Sequence, residues 1–412
     1  MNGLDGLCAP IERGNREKFV CEAEDVIFFK FCENEADVQS SDNETNTFKP
    51  EFTHQVFGDQ EVIFGYKGLR INMYYTVGSL KQYVKVQHSE TVPVNSTVEP
   101  DNILHLISEQ TPAGFTTNYS EFVMDMNKDK SFRPAGNLIS SYKQEDKTYE
   151  IYHATFADSK FQDYHRRLQT FIIWYIDAAS YIDDEDHNWN LYTLFEKVTS
   201  CGEIRYKSIG FLSCYNYYCY PNKKRPRISQ VLVLPPYQKC GHGAKLLTAM
   251  YDHACADPLV CDITVEDPSE NFTRLRNFVD ALKCSSLPSF QPDKLKEGFS
   301  KEMVTEAREK HKITAVQVRK IYELLRLRAT DVSNAKEYKK YRLEVKRRLN
   351  IPFQKEKKSL QKLEKFLQPQ EYEAVLQSKS VDNQHEFLEK SYRDVELEYR
   401  KVIERLSAHV DV

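Results

Sequence analysis

From Phe52 to about Val84 the chain alternates apolar and polar residues, and EVIFGY and RINMYYTV are rich in β-branched and aromatic side chains. That period predicts strands, with Gly68 as a turn residue. Residues 101–128 are mixed, and KTYEIYHATF (147–156) reads as another strand. Between Gln162 and Tyr181 the period changes: Leu168, Phe171, Ile172, Tyr175 and Ile176 fall at helical spacing, which predicts a buried amphipathic helix. Strand candidates follow at 191–198, 203–220, 227–235 and 259–266, with a helix from about Gly243 to Ala254 between the last two. A strand, loop, helix and strand of that length form a crossover unit, so those two strands should lie side by side and roughly parallel. Beyond residue 291 the pattern is helical and highly charged, with Val316, Val318, Ile321, Leu324 and Leu325 on one stripe and Pro352 and Pro369 as later punctuation. Residues 1–50 are irregular at first, and 33–46 are polar enough to be a loop or disordered. The expected organisation is α+β, in three parts: 1–150, an N-terminal α/β region; 151–290, a central core; 291–412, a helical region.

Composition narrows the class. The 412 residues carry a net charge of −4, which argues against attraction of the whole molecule to DNA or an anionic membrane. Residues 336–365 reverse this locally, with twelve Lys/Arg against four Asp/Glu. They read either as a solvated helical face or as a contact for nucleic acid or an import receptor. Lys223–Arg227 resembles a nuclear signal but reads equally as a loop between strands. The ten cysteines, Cys8 and Cys201 among them, form no CxxC pair, so no zinc site is expected. With no signal peptide or membrane span to read, free thiols are the default, and the sequons at Asn43, Asn95, Asn118 and Asn271 are chance matches.

The most informative stretch runs from Val231 to Leu247. An apolar strand enters a turn containing Gly241 and Gly243, and a helix follows. Amides at a helix start, with the positive end of the helix dipole, bind anions. Residues without side chains let a pyrophosphate reach the backbone, and Lys239 and Lys245 add positive charge. Glu266 and Asp267 end the next strand, and Pro268 suits the first position of a helix. Asp267 could then be the N-cap, leaving Glu266 either as a surface carboxylate or as a base that deprotonates an amine. Asp177, within the apolar helical pattern, is either paired structurally or faces a cleft.

Gln-x-x-Gly-x-Gly after a strand resembles the pyrophosphate motif of the GNAT acetyltransferase superfamily. More of the chain is similar to the catalytic subunits of type B histone acetyltransferases: EFTHQVFGDQE (51–61), FGYKGL (64–69), RLQTFIIWYIDAASYID (167–183), YNYYCYPNKKRPRISQ (215–230), QKCGHG (238–243), DITVEDPSE (262–270) and YRLEVKRRL (341–349), in the family's order. The resemblance implies a GNAT core between an N-terminal α/β domain and a C-terminal helical domain. It implies acetyl-CoA as co-substrate, no metal, and tail lysines of newly made histone H4, complexed with H3, as acceptor. A WD40-type histone chaperone as partner and a place in nucleus and cytoplasm follow from it too.

Carried over by residue, Val231, Leu232 and Val233 would line acetyl-CoA. Gln238, Lys239, Cys240, Gly241, His242 and Gly243 would form the pyrophosphate turn, with Ser269 a further cofactor contact. Glu266 would be the general base, with Asp267 and Asp177 as fallbacks. Asp59, Gln60, Glu61, Trp189, Tyr215, Asn216 and Tyr217 would touch the histone tail, although Trp189 reads equally as core. The chain departs from the family pattern at Lys239 and Cys240, where Gly and Gln are often found. It does so also at Gln60 and at Asp177, which is one methylene shorter than the familiar Glu. A backbone N–H near Val233 would hold the oxyanion in direct transfer within a ternary complex. A covalent acetyl-Cys240 is disfavoured, since no His–Asp pair is spaced to activate it. Two other readings keep the same core: an inactive histone-binding chaperone subunit, and an acetyltransferase for another amine.

Overall fold

A computed structural model describes residues 17–40, 46–93, 98–200, 202–363 and 381–410. Cys8, Cys201, Asn43, Asn95, Pro369 and the end of the basic stretch lie outside the described residues. Contacts divide the chain into two units, one of residues 1–217 with 227–253 and one of 218–226 with 254–412.

In the first unit, β1 (Ile27–Cys32), β2 (Thr47–Phe48), β3 (Arg70–Thr76) and β4 (Gln82–Gln87) form a sheet in the order β2-β1-β3-β4. β1 and β3 are parallel, in register from Ile27 opposite Ile71 to Cys32 opposite Thr76. All but the first residue of β3 are buried, as a strand covered on both faces requires. Phe122 and Met126 of α1 (Tyr119–Asp129) cover Tyr74 and Tyr83. The other side packs Phe29, Ile71, Met73 and Tyr75 against Phe171, Ile172 and Trp174. The Tyr75 and Phe171 rings lie 4.5 Å apart, within the range of favourable aromatic pairs.

Those last aromatics follow α2 (Ser159–Leu168), through a 3₁₀ turn, Gln169–Phe171, and a short helix, Ile172–Tyr175. The helix predicted to reach Tyr181 therefore stops early. Ile176 is already extended (φ −129°, ψ 114°), Ala178 has a positive φ of 51°, and Gln55 Nε2 donates to the Ala179 carbonyl at 2.8 Å. Tertiary hydrogen bonding overrides the helical period there.

His165 of α2 is fully buried between Phe156 and Phe161, and among the described residues neither ring nitrogen finds a partner. Burial pushes its pKa down to about 3. The folded state therefore holds it neutral, while the unfolded chain takes up a proton near pH 6.5. A depressed histidine pKa contributes stability above the unfolded value and loses it as the pH falls. Between pH 6 and 4 this group should cost about 1.4 kcal/mol per pH unit. His165→Phe should flatten that slope in urea unfolding series, and an unchanged slope would refute the assignment.

The second sheet of this unit runs in sequence order: β5 (Asn137–Gln144), β6 (Lys147–Ala154), β7 (Trp189–Ser200), β8 (Glu203–Cys219) and β9 (Lys223–Val233). The pairings from β5 to β8 are antiparallel. Lys223–Arg227, read as a loop, is the start of β9. α3 (His242–Ala256) follows the glycine turn and buries Leu246, Leu247, Met250 and Tyr251.

In the second unit the predicted strand 259–266 contracts to β10 (Thr264–Val265) and to single bridges from Val260 to Lys224 and from Ile263 to Ile313, both parallel. Helices follow: α4 (Glu270–Ser285), α5 (Lys301–His311), α6 (Ala315–Arg328), α7 (Ala335–Leu349), α8 (Ile351–Leu363) and α9 (Val381–Val410). α6 buries Val318, Ile321, Leu324 and Leu325, but Val316, assigned to the same stripe, is 73% exposed. Gln317 and Val318 in the same turn are buried, so Val316 lies off the face that packs. α6 also buries Glu323, which accepts from Arg319, from both ends of the Arg348 guanidinium (2.7 and 2.8 Å) and from the Tyr399 hydroxyl. In the basic stretch, Arg348 and Lys346 are tied to Glu323 and Glu389, while Lys336, Lys339, Lys340 and Arg347 face solvent.

Candidate active site

Along β9, Ile228, Gln230 and Leu232 are buried, and Val231 and Val233 between them are half-buried. β8 carries an extra residue opposite β7: Leu194 pairs with Gly210 and Phe195 with Ser208, leaving Ile209 as a bulge. The Leu234 amide donates to the Ile209 carbonyl at 2.9 Å. Gly210 was not singled out from sequence, yet a Cβ there would lie 2.5 Å from the Leu232 carbonyl oxygen and 2.9 Å from the Val233 Cα. Glycine thus permits the backbone approach that shapes the Leu232–Val233 stretch. Gly210→Ala should displace β9 and raise KM for acetyl-CoA several-fold, measured by steady-state kinetics. Unchanged kinetics would show that the close approach is not needed.

The turn is built in steps. Pro235–Tyr237 form one 3₁₀ turn, and Gln238 Nε2 donates back to the Val233 carbonyl at 2.9 Å. Lys239 and Gly241 both have positive φ, 60° and 85°. A side chain on Gly241 would meet nothing within 4 Å, so glycine is there for its backbone conformation and the space beside it is open. The Gly241 carbonyl accepts from the amides of Ala244 and Lys245, making it the first cap of α3. Among the described residues the amides of Gly241, His242 and Gly243 have no partner, the ordinary state of a helix start. Open amides, a helix dipole and two lysines suit a pyrophosphate, so the residues present fit coenzyme A at this position.

His242 itself points inward. Its Nδ1 lies 2.8 Å from the Tyr142 hydroxyl, and its ring lies 4.5 Å from Tyr149. Burial lowers its pKa, with Lys147 adding to the effect. Gln144 Nε2 donates to the Cys240 carbonyl at 3.0 Å, and Lys245 Nζ lies 5.6 Å from the Tyr142 ring centre. The β5–β6 hairpin thus braces the turn through Tyr142, Gln144 and Tyr149, none of which the sequence reading named. Cys240 is exposed, its thiol donating to the Gln238 carbonyl.

Glu266 follows β10 and is exposed. Asp267 has a φ of 26° and is not the helix cap. That place belongs to Ser269, whose Oγ accepts the Phe272 amide at 3.2 Å, and α4 starts at Glu270 rather than Pro268. Ser269 is therefore committed locally. Asp177 lies past the helix end, largely exposed, with an oxygen 3.4 Å from His54 Nε2. It is paired on the surface rather than desolvated, which removes the reason for reading it as a base.

Among the residues read as tail contacts, Trp189 and Tyr215 meet edge to face at 5.0 Å, and Tyr215 and Tyr217 at 4.7 Å. Asn188 ties Asp186 to the Tyr215 hydroxyl, and Asn216 is half-buried beside it. The Arg227 guanidinium lies 4.9 Å from the centre of the Tyr217 ring, an internal cation–π contact. Asp59 and Gln60 are exposed. Glu61 is not a free anion: it accepts from the Thr53 amide and hydroxyl, and those bonds hold its pKa low. Its carboxylate therefore fixes the loop that presents Asp59 and Gln60. No group of three or more His, Cys, Asp or Glu placed to hold a metal occurs among the described residues, and none of their helices is long and apolar enough to cross a membrane.

Comparison with known proteins extends these findings. Residues 19–177 match the family described as Histone acetyl transferase HAT1 N-terminus, and residues 276–327 match Histone acetyltransferase type B catalytic subunit, C-terminal. The chain is 40% identical to the human histone acetyltransferase type B catalytic subunit, over 96% of this chain and 99% of that one. A Dictyostelium discoideum relative of the same description is 36% identical, over 74% of this chain and 67% of its own. Solved structures with some likeness include a soil-metagenome aminoglycoside acetyltransferase (18% identity, TM-score 0.24, covering 34% of this chain and 88% of that one). Another is Arabidopsis thaliana NAA60 (14% identity, TM-score 0.22, covering 30% and 80%). Likeness that slight carries no weight for function. Identity sustained over nearly the whole length does: the chain belongs to the family of histone acetyltransferase type B catalytic subunits.

Proposed function

We propose that this chain transfers acetyl from acetyl-CoA to lysines in the N-terminal tail of histone H4, by direct attack in a ternary complex. The observation that carries the proposal is the turn at Gly241. Its amides at the start of α3, without partners among the described residues, suit the pyrophosphate of coenzyme A. Val231–Val233 would lie along the cofactor, and a backbone N–H near Val233 would hold the oxyanion, an effect typically worth ~2.7–4 kcal/mol. Gln238 engages the Val233 carbonyl and the Ile209 carbonyl engages the Leu234 amide, so the Leu234 N–H is not itself that donor.

Glu266 is the residue proposed to take the lysine proton, since a neutral amine is the nucleophile. The Trp189–Tyr215–Tyr217 group, with Asp59 and Gln60, would bind the cationic tail, and aromatic faces attract cations by ~0.5–2 kcal/mol each. On this reading the working partners are H4 complexed with H3 and a WD40-type histone chaperone. The test mixes the purified chain with labelled acetyl-CoA and an H4 tail peptide. Label on the peptide is expected. Binding of the peptide with no transfer would replace this reading with that of an inactive chaperone subunit.

A further inference from the structure

Cys219 closes β8, and Cys261 lies in the segment 259–263 that runs beside the start of β9. Both belong to the second unit. The Lys224 amide donates to the Leu259 carbonyl at 2.9 Å and the Cys261 amide to the Lys224 carbonyl at 3.0 Å, so main-chain bonds hold the two segments side by side. The sulfurs lie 3.3 Å apart, the Cys261 thiol donating to Cys219. Both residues are half-buried and so remain reachable from solvent.

Arg225 is held by Asp262 at 2.5 and 3.2 Å, and its positive charge acts on both sulfurs. Burial and the bond to Cys219 raise the pKa of Cys261. Cys219 accepts that bond and lies beside the Arg225 cation, so its sulfur is the one placed to react first. Buried Cys32, Cys214 and Cys284 have their pKa values raised by desolvation, which marks them as inert.

We propose that Cys219 and Cys261 form a peroxide-sensitive dithiol that closes reversibly to a disulfide. The Cys219 thiolate attacks one oxygen of hydrogen peroxide and the O–O bond breaks. A sulfenic acid forms, and the departing hydroxide takes the proton Cys219 has lost, giving water. The Cys261 sulfur then attacks the sulfenic sulfur. The S–S bond forms, the S–O bond breaks, and the second hydroxide leaves with the Cys261 proton as a second water. Both sulfurs are oxidised, one peroxide is reduced, and a dithiol reductant reverses the change by exchange. Because the segments are already hydrogen-bonded, closure needs only a short further approach of the sulfurs. The disulfide would tie the β8–β9 hairpin to the segment that ends at Glu266, and it forms whether or not Glu266 is the base.

The test treats the full-length reduced protein with hydrogen peroxide, alkylates the remaining thiols and maps peptides by mass. A 219–261 linked peptide pair is expected, lost on dithiothreitol treatment, with slower amide exchange at Lys224 and Cys261 in the oxidised form. Cys240→Ser should leave the link intact and Cys219→Ser should abolish it. The proposal is overturned if Cys219 and Cys261 stay alkylatable at peroxide levels that oxidise exposed Cys240, or if either pairs elsewhere.

Discussion

Glu266→Gln is expected to lower kcat by about 10²–10⁴-fold, the usual contribution of a positioned base. The affinity for acetyl-CoA should hardly change. Gln keeps the size and much of the polarity of Glu but cannot take a proton from an ammonium. Loss confined to kcat would mean that the removed interaction belongs to the transition state and not to cofactor binding. Asp267→Asn and Asp177→Asn serve as comparisons, each expected to cost less than about tenfold. Asp177 is exposed and paired with His54, and the Asp267 backbone turns left-handed after β10. Steady-state kinetics with an H4 peptide, paired with calorimetric titration of acetyl-CoA, separate the cases. Full turnover in Glu266→Gln would move the base elsewhere.

The second large effect concerns stability. Glu323→Ala should destabilise the helical unit by about 3–5 kcal/mol, the cost of breaking an ion-pair network centred on a buried carboxylate. Arg319 and Arg348 both donate to Glu323, and Tyr399 of α9 donates its hydroxyl to the same group. Arg319 would keep Glu344, Arg348 would lose both its bonds to Glu323, and the buried Tyr399 hydroxyl would lose that acceptor, where unpaired polar groups are costly. Denaturant unfolding followed by helical circular dichroism measures the change. A loss below about 1 kcal/mol, the range of an exposed ion pair, would show that water reaches the site.

The strands and the helix around the glycine turn were legible because their periods are strong. The predicted 203–220 strand is β8 to within one residue, and the 243–254 helix is α3 with one or two residues added at each end. What a lone sequence hides is which distant residues meet. Tyr142 and His242 are separated by 100 positions, and Gln144 and Cys240 by 96, and neither period nor composition pairs them. Gly210 looked like one glycine in an apolar strand, although an isolated strand glycine is itself a signal of close backbone approach. Glu61 read as one of three acidic or polar tail contacts, and its bonds to Thr53 make it a loop anchor instead. Ser269 shows the opposite: the Ser-x-x-Phe spacing permitted a cap, but the adjacent Asp and Pro drew the reading two residues too early.

Amide hydrogen exchange tests the anion cradle at the start of α3 without altering a residue. Saturating the wild-type chain with coenzyme A should slow exchange at Gly241, His242 and Gly243, whose amides lack partners among the described residues. If coenzyme A binds while those amides exchange as before, and protection appears elsewhere, the cradle is not the cofactor site.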